Sequence, residues 1–314
     1  MVESETPVLP PIGEADEAAV IRAGLGKTEG PVWLGDGTVV CTSIDHGRLY
    51  LVDSSQLTAL ACPGGPNGIA VGRHGAYVAR NGGLWGATPS DPAIVLVSAA
   101  GSTDLVPLPG DSSPNDLAFA PDGRLWFTDT GHDGDPYDPS VRAGRVWSCA
   151  PDGTDLRVEL SERPFPNGLA FSPDGAWLYV TETAARWVLQ MPWSQRGLGS
   201  PRVLAELPAG MPDGFAVDEL GRLWLPATSA DGLFLLSPDG AWLGTLPTGP
   251  GSRPTNCCFG GADGTDIFVA ASGAGALLRV RTRVRGTALR ADGPVSEAAA
   301  VLRAAARATA PPAR

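Results

Sequence analysis

The sequence predicts an all-β protein, a six-bladed β-propeller, and three observations carry that expectation. The chain holds 41 Gly and 30 Pro in 314 residues, close to a quarter of the total against about 12% in ordinary proteins, so it turns far more often than a helical protein allows. One hairpin unit recurs six times in fixed register. Helical periodicity is almost absent over residues 20–283.

Each unit opens on a polar residue, runs through two or three apolar residues, turns at a Gly and returns as a second strand. The six openings are Thr28-Glu29-Gly30-Pro31-Val32-Trp33, Pro66-Asn67-Gly68-Ile69-Ala70, Pro114-Asn115-Asp116-Leu117-Ala118-Phe119, Pro166-Asn167-Gly168-Leu169-Ala170-Phe171, Pro212-Asp213-Gly214-Phe215-Ala216-Val217 and Pro254-Thr255-Asn256-Cys257-Cys258-Phe259. Their turns are Asp36-Gly37, His74-Gly75, Asp122-Gly123, Asp174-Gly175, Leu220-Gly221 and Asp263-Gly264. Asp-Gly between apolar stretches is a strong hairpin signal, because Gly takes positive φ without steric cost. The offset from opening polar residue to turn Gly is 8 in five copies and 9 in the sixth.

The return strands are expected at Thr38–Cys41, Ala76–Ala79, Arg124–Thr128, Ala176–Thr181, Arg222–Leu225 and Thr265–Ala270. Third strands are expected at Arg48–Val52, Ile94–Val97, Arg145–Cys149, Trp187–Met191, Leu233–Leu236 and Leu277–Val280. Successive turn glycines lie 38, 48, 52, 46 and 43 residues apart, which suits one four-stranded blade each. A β-helix or a two-sheet sandwich is the competing all-β arrangement. The propeller is placed over residues 19–283, with Ala19–Ala23 able to supply a strand that closes the ring. A flexible acidic segment, 1–18, precedes it. An Ala/Arg-rich tail, 284–314, follows, in which Ser296-Glu297 could cap a short helix through Ala305; a disordered tail is the equal alternative.

Composition narrows the partners. Lys and Arg number 23 against 34 Asp and Glu, a net charge of −11, the wrong sign for a nucleic-acid backbone. No apolar run is long enough to span a membrane. Five scattered cysteines do not make a disulfide scaffold, and the N-terminal residues lack the basic and apolar regions of a signal peptide. The expectation is a cytoplasmic protein acting on a small molecule; the oligomeric state stays open.

In a propeller, the innermost strands line the axial channel, so equivalent repeat positions converge there. The opening position is filled by Glu29, Asn67, Asn115, Asn167, Asp213 and Thr255: oxygen donors throughout, with no sulfur or imidazole. Such a ring suits a hard divalent cation in the central channel, Ca²⁺ first, with Mg²⁺, Mn²⁺ or Zn²⁺ as alternatives. Pro-Asn-Gly can also serve merely to bend the chain into the strand, which accounts for the asparagines but poorly for Glu29 and Thr255.

Glu29-Gly30-Pro31, Pro114-Asn115-Asp116-Leu117, the run from Pro166 to Gly175 and the run from Pro212 to Asp218 together resemble the senescence-marker-protein/gluconolactonase/luciferin-regenerating-enzyme family. The resemblance spans residues 24–280. It implies a divalent metal held by Glu29, Asn167 and Asp213, with Asn115 beside it touching metal or substrate. The implied activity is hydrolysis of a lactone or related ester, some relatives acting on phosphotriesters. Metal-assisted hydrolysis polarises the carbonyl and activates a water; Asp213 is the candidate base, as well as a ligand. His132, on the loop from Thr130 to Asp138, is a candidate proton shuttle, with solvated surface as the plainer reading. Asn67 completes a second shell or is structural.

One departure bears on the substrate. Sugar-lactone members often carry an Arg just ahead of the third-repeat Asn, where this chain reads Asp111-Ser112-Ser113-Pro114; that and nine Trp point toward an apolar or aromatic substrate. Two other functions stay open. One is a non-hydrolytic cyclisation or condensation, because the scaffold also resembles strictosidine-synthase-like propellers; the other is a non-catalytic binding propeller. No Gly-x-Ser-x-Gly elbow is present, Gly26-Lys27-Thr28 lacks a phosphate-cradling loop, and His46, His74 and His132 are too dispersed for a His-Glu-x-x-His zinc site.

Overall fold

The computed structural model describes residue 13 and residues 15–132, 135 and 137–309. Six antiparallel sheets are arranged as the blades of a propeller. Blade 1 runs outward through Thr28–Trp33, Val39–Ser43, Arg48–Val52 and Leu57–Ala61; blade 2 through Pro66–Gly72, Gly75–Arg80, Ala93–Ser98 and Gly101–Pro107. Blade 3 comprises Pro114–Phe119, Leu125–Asp129, Gly144–Cys149 and Arg157–Arg163. Blade 4 comprises Pro166–Phe171, Trp177–Glu182, Trp187–Ser194 and Arg202–Glu206, with a short Gly197–Leu198 extension. Blade 5 comprises Ala216–Val217, Leu223–Ala227, Gly232–Leu236 and Trp242–Pro247.

Blade 6 is composite. Its three inner strands, Pro254–Gly260, Asp266–Ala271 and Ala276–Arg281, come from late in the chain, and Ala19–Ala23 pairs with the last of them as the outer strand. The ring is thereby fastened by hydrogen bonds between the two ends of the propeller segment, while the inner strands of blades 6 and 1 meet directly.

The core lies between blades rather than under one sheet. Each sheet buries both faces, so the inner strands read as nearly continuous apolar runs. Tyr77 of blade 2 meets Phe119 of blade 3 edge-to-face at 5.3 Å, and Trp126 of blade 3 meets Phe171 of blade 4 the same way at 5.8 Å. The five cysteines are free, and burial pushes the thiols of Cys41, Cys62, Cys149 and Cys257 up to about 12, where they stay protonated.

Beyond the blades, helix α1 (Val295–Thr309) lays Ala298, Ala299, Leu302 and Ala305 into the apolar cluster shared by blades 1 and 2. Arg303 pairs with Asp36 at the blade 1 hairpin, and Arg73 at the blade 2 hairpin pairs with Asp292 at 3.2 Å. The acidic segment expected over 1–18 lies mostly outside the described residues; of those described, Ala15 forms a bridge to Thr282. Among the described residues, no helix is long and apolar enough to cross a membrane.

Candidate active site

The opening residue of every repeat sits where its inner strand is irregular. The ladder shifts register between Glu29 and Val32, Pro66 and Ile69, Pro114 and Leu117, Pro166 and Leu169, and Pro254 and Asn256. In blade 5 pairing is interrupted altogether between the Pro212–Ala227 bridge and Ala216. A bulge re-aims a side chain that regular pleating would direct into a neighbouring blade.

Second-strand threonines then pin these positions across blade boundaries. Thr42 Oγ1 donates to the Asn67 carbonyl (2.7 Å), Thr128 Oγ1 to that of Asn167 (2.5 Å) and Thr181 Oγ1 to that of Asp213 (2.9 Å). Thr255 Oγ1 closes the circle onto the carbonyl of Thr28 (2.9 Å). Thr255 thus spends its hydroxyl largely on the backbone.

Three carboxylates from alternate blades face one another across the axis. Burial, followed by the charges of Glu29 and Asp116, raises the Asp213 carboxyl well above its ordinary range; the Gly214 N–H (3.0 Å) and Thr228 hydroxyl (3.3 Å) only partly offset this. Burial pushes Glu29 up to about 7, against the Gly30 N–H (3.0 Å) and the facing side chains of Thr255 and Asn256. Asp116 is likewise pushed up to about 7 by burial and by Glu29. Residues on blades 1, 3 and 5 feel one another only at the axis, and mutual repulsion there disfavours their charged forms.

The amide members frame the same space. Asn167 Nδ2 donates to Thr183 Oγ1 (3.0 Å), whose hydroxyl reaches the carbonyl of Pro212 beside Asp213 (2.8 Å). Asn167 Oδ1 is buried and has no donor among the described residues; Asn67 Oδ1 is in the same position. Asn115 is buried next to Asp116, and its amide makes no protein hydrogen bond among the described residues.

An orphaned buried carbonyl oxygen beside mutually repelling carboxylates is the environment a hard cation relieves, so this donor set fits one. Among the described residues there is no cluster of three or more His, Cys, Asp or Glu side chains arranged around a metal; any cation here draws on amides as well as acids. His132 is exposed and has no hydrogen-bond or ion-pair partner among the described residues, and the neighbouring residues 133, 134 and 136 lie outside them. Among the described residues, nothing links His132 to the carboxylate group.

Sequence reading missed Asp116 and Asn256, although their signal was present. The second repeat position reads Gly30, Gly68, Asp116, Gly168, Gly214 and Asn256. A Cβ on Gly68 would collide with the Asp116 carboxylate, and one on Gly214 with the Asn256 amide. These glycines clear the channel for the two side chains that fill it, and Asn256 Nδ2 approaches Asp116 Oδ2 at 3.5 Å. The stretch ahead of Asn115 does have an arginine nearby: Arg145, from blade 3's third strand, is engaged by Asp111 (2.6 Å) and Asp129 (3.4 Å).

Residues 27–273 match the family described as SMP-30/Gluconolactonase/LRE-like region. A gluconolactonase of Zymomonas mobilis is 30% identical over 300 residues, 85% of this chain and 82% of its own. The structure of a Xanthomonas campestris gluconolactonase superposes with a TM-score of 0.67 at 29% identity, covering 88% of this chain and 97% of that one. The Agrobacterium tumefaciens regucalcin, a calcium-binding protein, shares the fold with a TM-score of 0.72 at 19% identity, over 91% of this chain and 98% of that one. On its repeats, its six blades and this match across most of its length, the chain belongs to the SMP-30/gluconolactonase/LRE-like family.

Proposed function

We propose that this protein hydrolyses a lactone or related ester with the help of one divalent cation, Ca²⁺ foremost. The observation that carries the reading is the convergence of Glu29 and Asp213 beside the donorless Oδ1 of Asn167. Its lactonase relatives support the reaction class. Glu29, Asn167 and Asp213 would hold the cation, with Asn115 completing the set, and the bound ion would supply Lewis-acid polarisation of the ester carbonyl.

The chain's own groups do the rest. Glu29 and Asp213 would carry the negative charge that balances a divalent ion, and their raised carboxyls would then be held in the ionised form. Asp213 Oδ2, held by Thr228, takes the proton of the attacking water. The buried Asn115 amide donates to a substrate oxygen, and the Thr183 link keeps Asn167 and the backbone before Asp213 in register.

The test is hydrolysis of a lactone panel, glucono-δ-lactone included, followed by pH-stat with and without chelator, alongside elemental analysis. Turnover that chelation abolishes and added cation restores is expected. A metal-free protein whose melting temperature and hydrolysis ignore both chelator and cation would overturn the reading.

A further inference from the structure

Two connections lie at the end of the blades where the repeats open, residues 81–92 of blade 2 and, in blade 3, the described residues 130–132 and 137–143. They bring Trp85 and Tyr137 together with ring centroids 6.0 Å apart, and Tyr137 meets Phe165 at 5.8 Å. Phe165 is buried, Trp85 is half-buried and Tyr137 is 45% exposed. The result is an arc of three rings, solid at the base and open to solvent at the top.

The arc is tied to the site at both ends. Phe165 precedes Asn167 by two residues, and its carbonyl accepts from the N–H of Thr183, the residue whose hydroxyl holds the Asn167 amide. At the other end Lys27, two residues before Glu29, donates its Nζ to the Trp85 carbonyl at 2.6 Å. Between them, the Tyr137 hydroxyl lies within electrostatic reach of Asp213 and Arg253.

The backbone is strained where the arc needs it. Trp85 has φ 62° and Phe165 φ 56°, a left-handed region that bulky side chains seldom enter. Such outliers persist where surrounding structure enforces them, commonly at ligand-binding positions. Trp85 is also flanked by Gly83 and Gly86 at positive φ, so its turn is built to present the ring.

Two of the cations on this side are already engaged. The Lys27 ammonium is held by the Trp85 carbonyl, and Arg145 is held by Asp111 and Asp129. At the arc itself a ligand meets ring surface, with the exposed Arg253 side chain beyond the Tyr137 hydroxyl and the Asn115 amide deeper in the channel.

We propose that Trp85, Tyr137 and Phe165 form a subsite for an aromatic or flat apolar group carried by the scissile lactone, so that aryl-bearing lactones are the preferred substrates over polyhydroxylated ones. This rests on the hydrolase reading above and narrows it to a substrate class. Stacking against offset or tilted rings orients the lactone so that its carbonyl enters the carboxylate ring while the apolar portion stays under Tyr137.

The test compares kcat/KM for dihydrocoumarin, an aryl-fused δ-lactone opened by water to a phenolic acid, with that for glucono-δ-lactone. It uses the cation-loaded wild type, Tyr137→Ala and Trp85→Asn. Tyr137 is exposed, so its truncation spares the core, and Asn tolerates the left-handed backbone at position 85. Wild type should favour dihydrocoumarin, and each variant should cut the aryl-to-sugar ratio about tenfold. A ratio untouched by both variants, or a wild type favouring the sugar lactone, overturns the subsite while leaving the hydrolase intact.

Calorimetric binding of the lactam analogue, 3,4-dihydroquinolin-2-one, separates the two claims. If wild type opens no lactone yet binds the lactam, and both variants weaken that binding, the hydrolase reading fails and the subsite stands. If no lactone is opened and the lactam does not bind, or binds all three proteins alike, the subsite fails as well.

Discussion

Stripping divalent cations and raising the pH from 5 to 8 should destabilise this fold, and the structure sets the size of the effect. Glu29 is pushed from its ordinary 4.5 up to about 7 by burial. A carboxyl held above its unfolded value contributes stability that is complete below pH 4.5 and is lost as the pH rises through about 7. The gap is worth about 3 kcal/mol at roughly 1.4 kcal/mol per pH decade. Asp116 and Asp213 act in the same direction, but they share their repulsion with Glu29, so the contributions do not add. Exposed acids such as Asp53 and Asp263, held near 2 by their hydrogen bonds, titrate below this window, whereas Glu182, raised by burial, acts in the same direction as Glu29. Scanning calorimetry of cation-free protein should show the melting temperature falling by on the order of 5 °C between pH 5 and pH 8. Saturating Ca²⁺ should flatten that dependence by taking the place of the protons. A cation-free melting temperature that is level or rises over this range would refute the repelling-carboxylate account.

Three further perturbations have defined outcomes. Asn167→Leu removes the donorless Oδ1 at similar volume and should weaken Ca²⁺ binding by about 100-fold or more in a calorimetric titration, with the circular-dichroism spectrum unchanged. Thr181→Val deletes the hydroxyl that holds the Asp213 carbonyl, leaves a buried acceptor unsatisfied and should lower stability by about 1–3 kcal/mol in urea unfolding. Leu302→Ala empties a fully buried position where α1 meets blades 1 and 2 and should cost about 2–5 kcal/mol, with little change in cation affinity because the helix docks away from the carboxylate ring.

The blades were legible because the repeat is written in chemistry that is hard to mistake: a polar residue at the bulge, a Gly at the hairpin and apolar strands buried on both faces. Their outer strands were not. Arg157–Arg163 and Arg202–Glu206 lie on the rim with much of their surface in water, so no apolar pattern marks them. The opening position was readable as an oxygen ring, but its depth was not. Asp116 and Asn256 occupy a second layer, visible only as the two positions where a run of glycines is broken. The aromatic arc was hidden for a different reason: Trp85, Tyr137 and Phe165 are far apart in sequence, and two of them sit in backbone conformations that their residue types disfavour. Nine tryptophans hinted at apolar recognition without saying which of them faces the channel.

The central claim is that this ring of buried oxygens exists to hold a divalent cation. Calorimetric titration of metal-stripped protein with Ca²⁺ at pH 7, repeated in buffers of different ionisation enthalpy, tests it most directly. The account predicts one ion per chain, proton release on binding as Glu29, Asp116 and Asp213 ionise, and loss of both signals in Glu29→Gln. Absence of binding at millimolar Ca²⁺, or binding that releases no protons and survives Glu29→Gln, would contradict it.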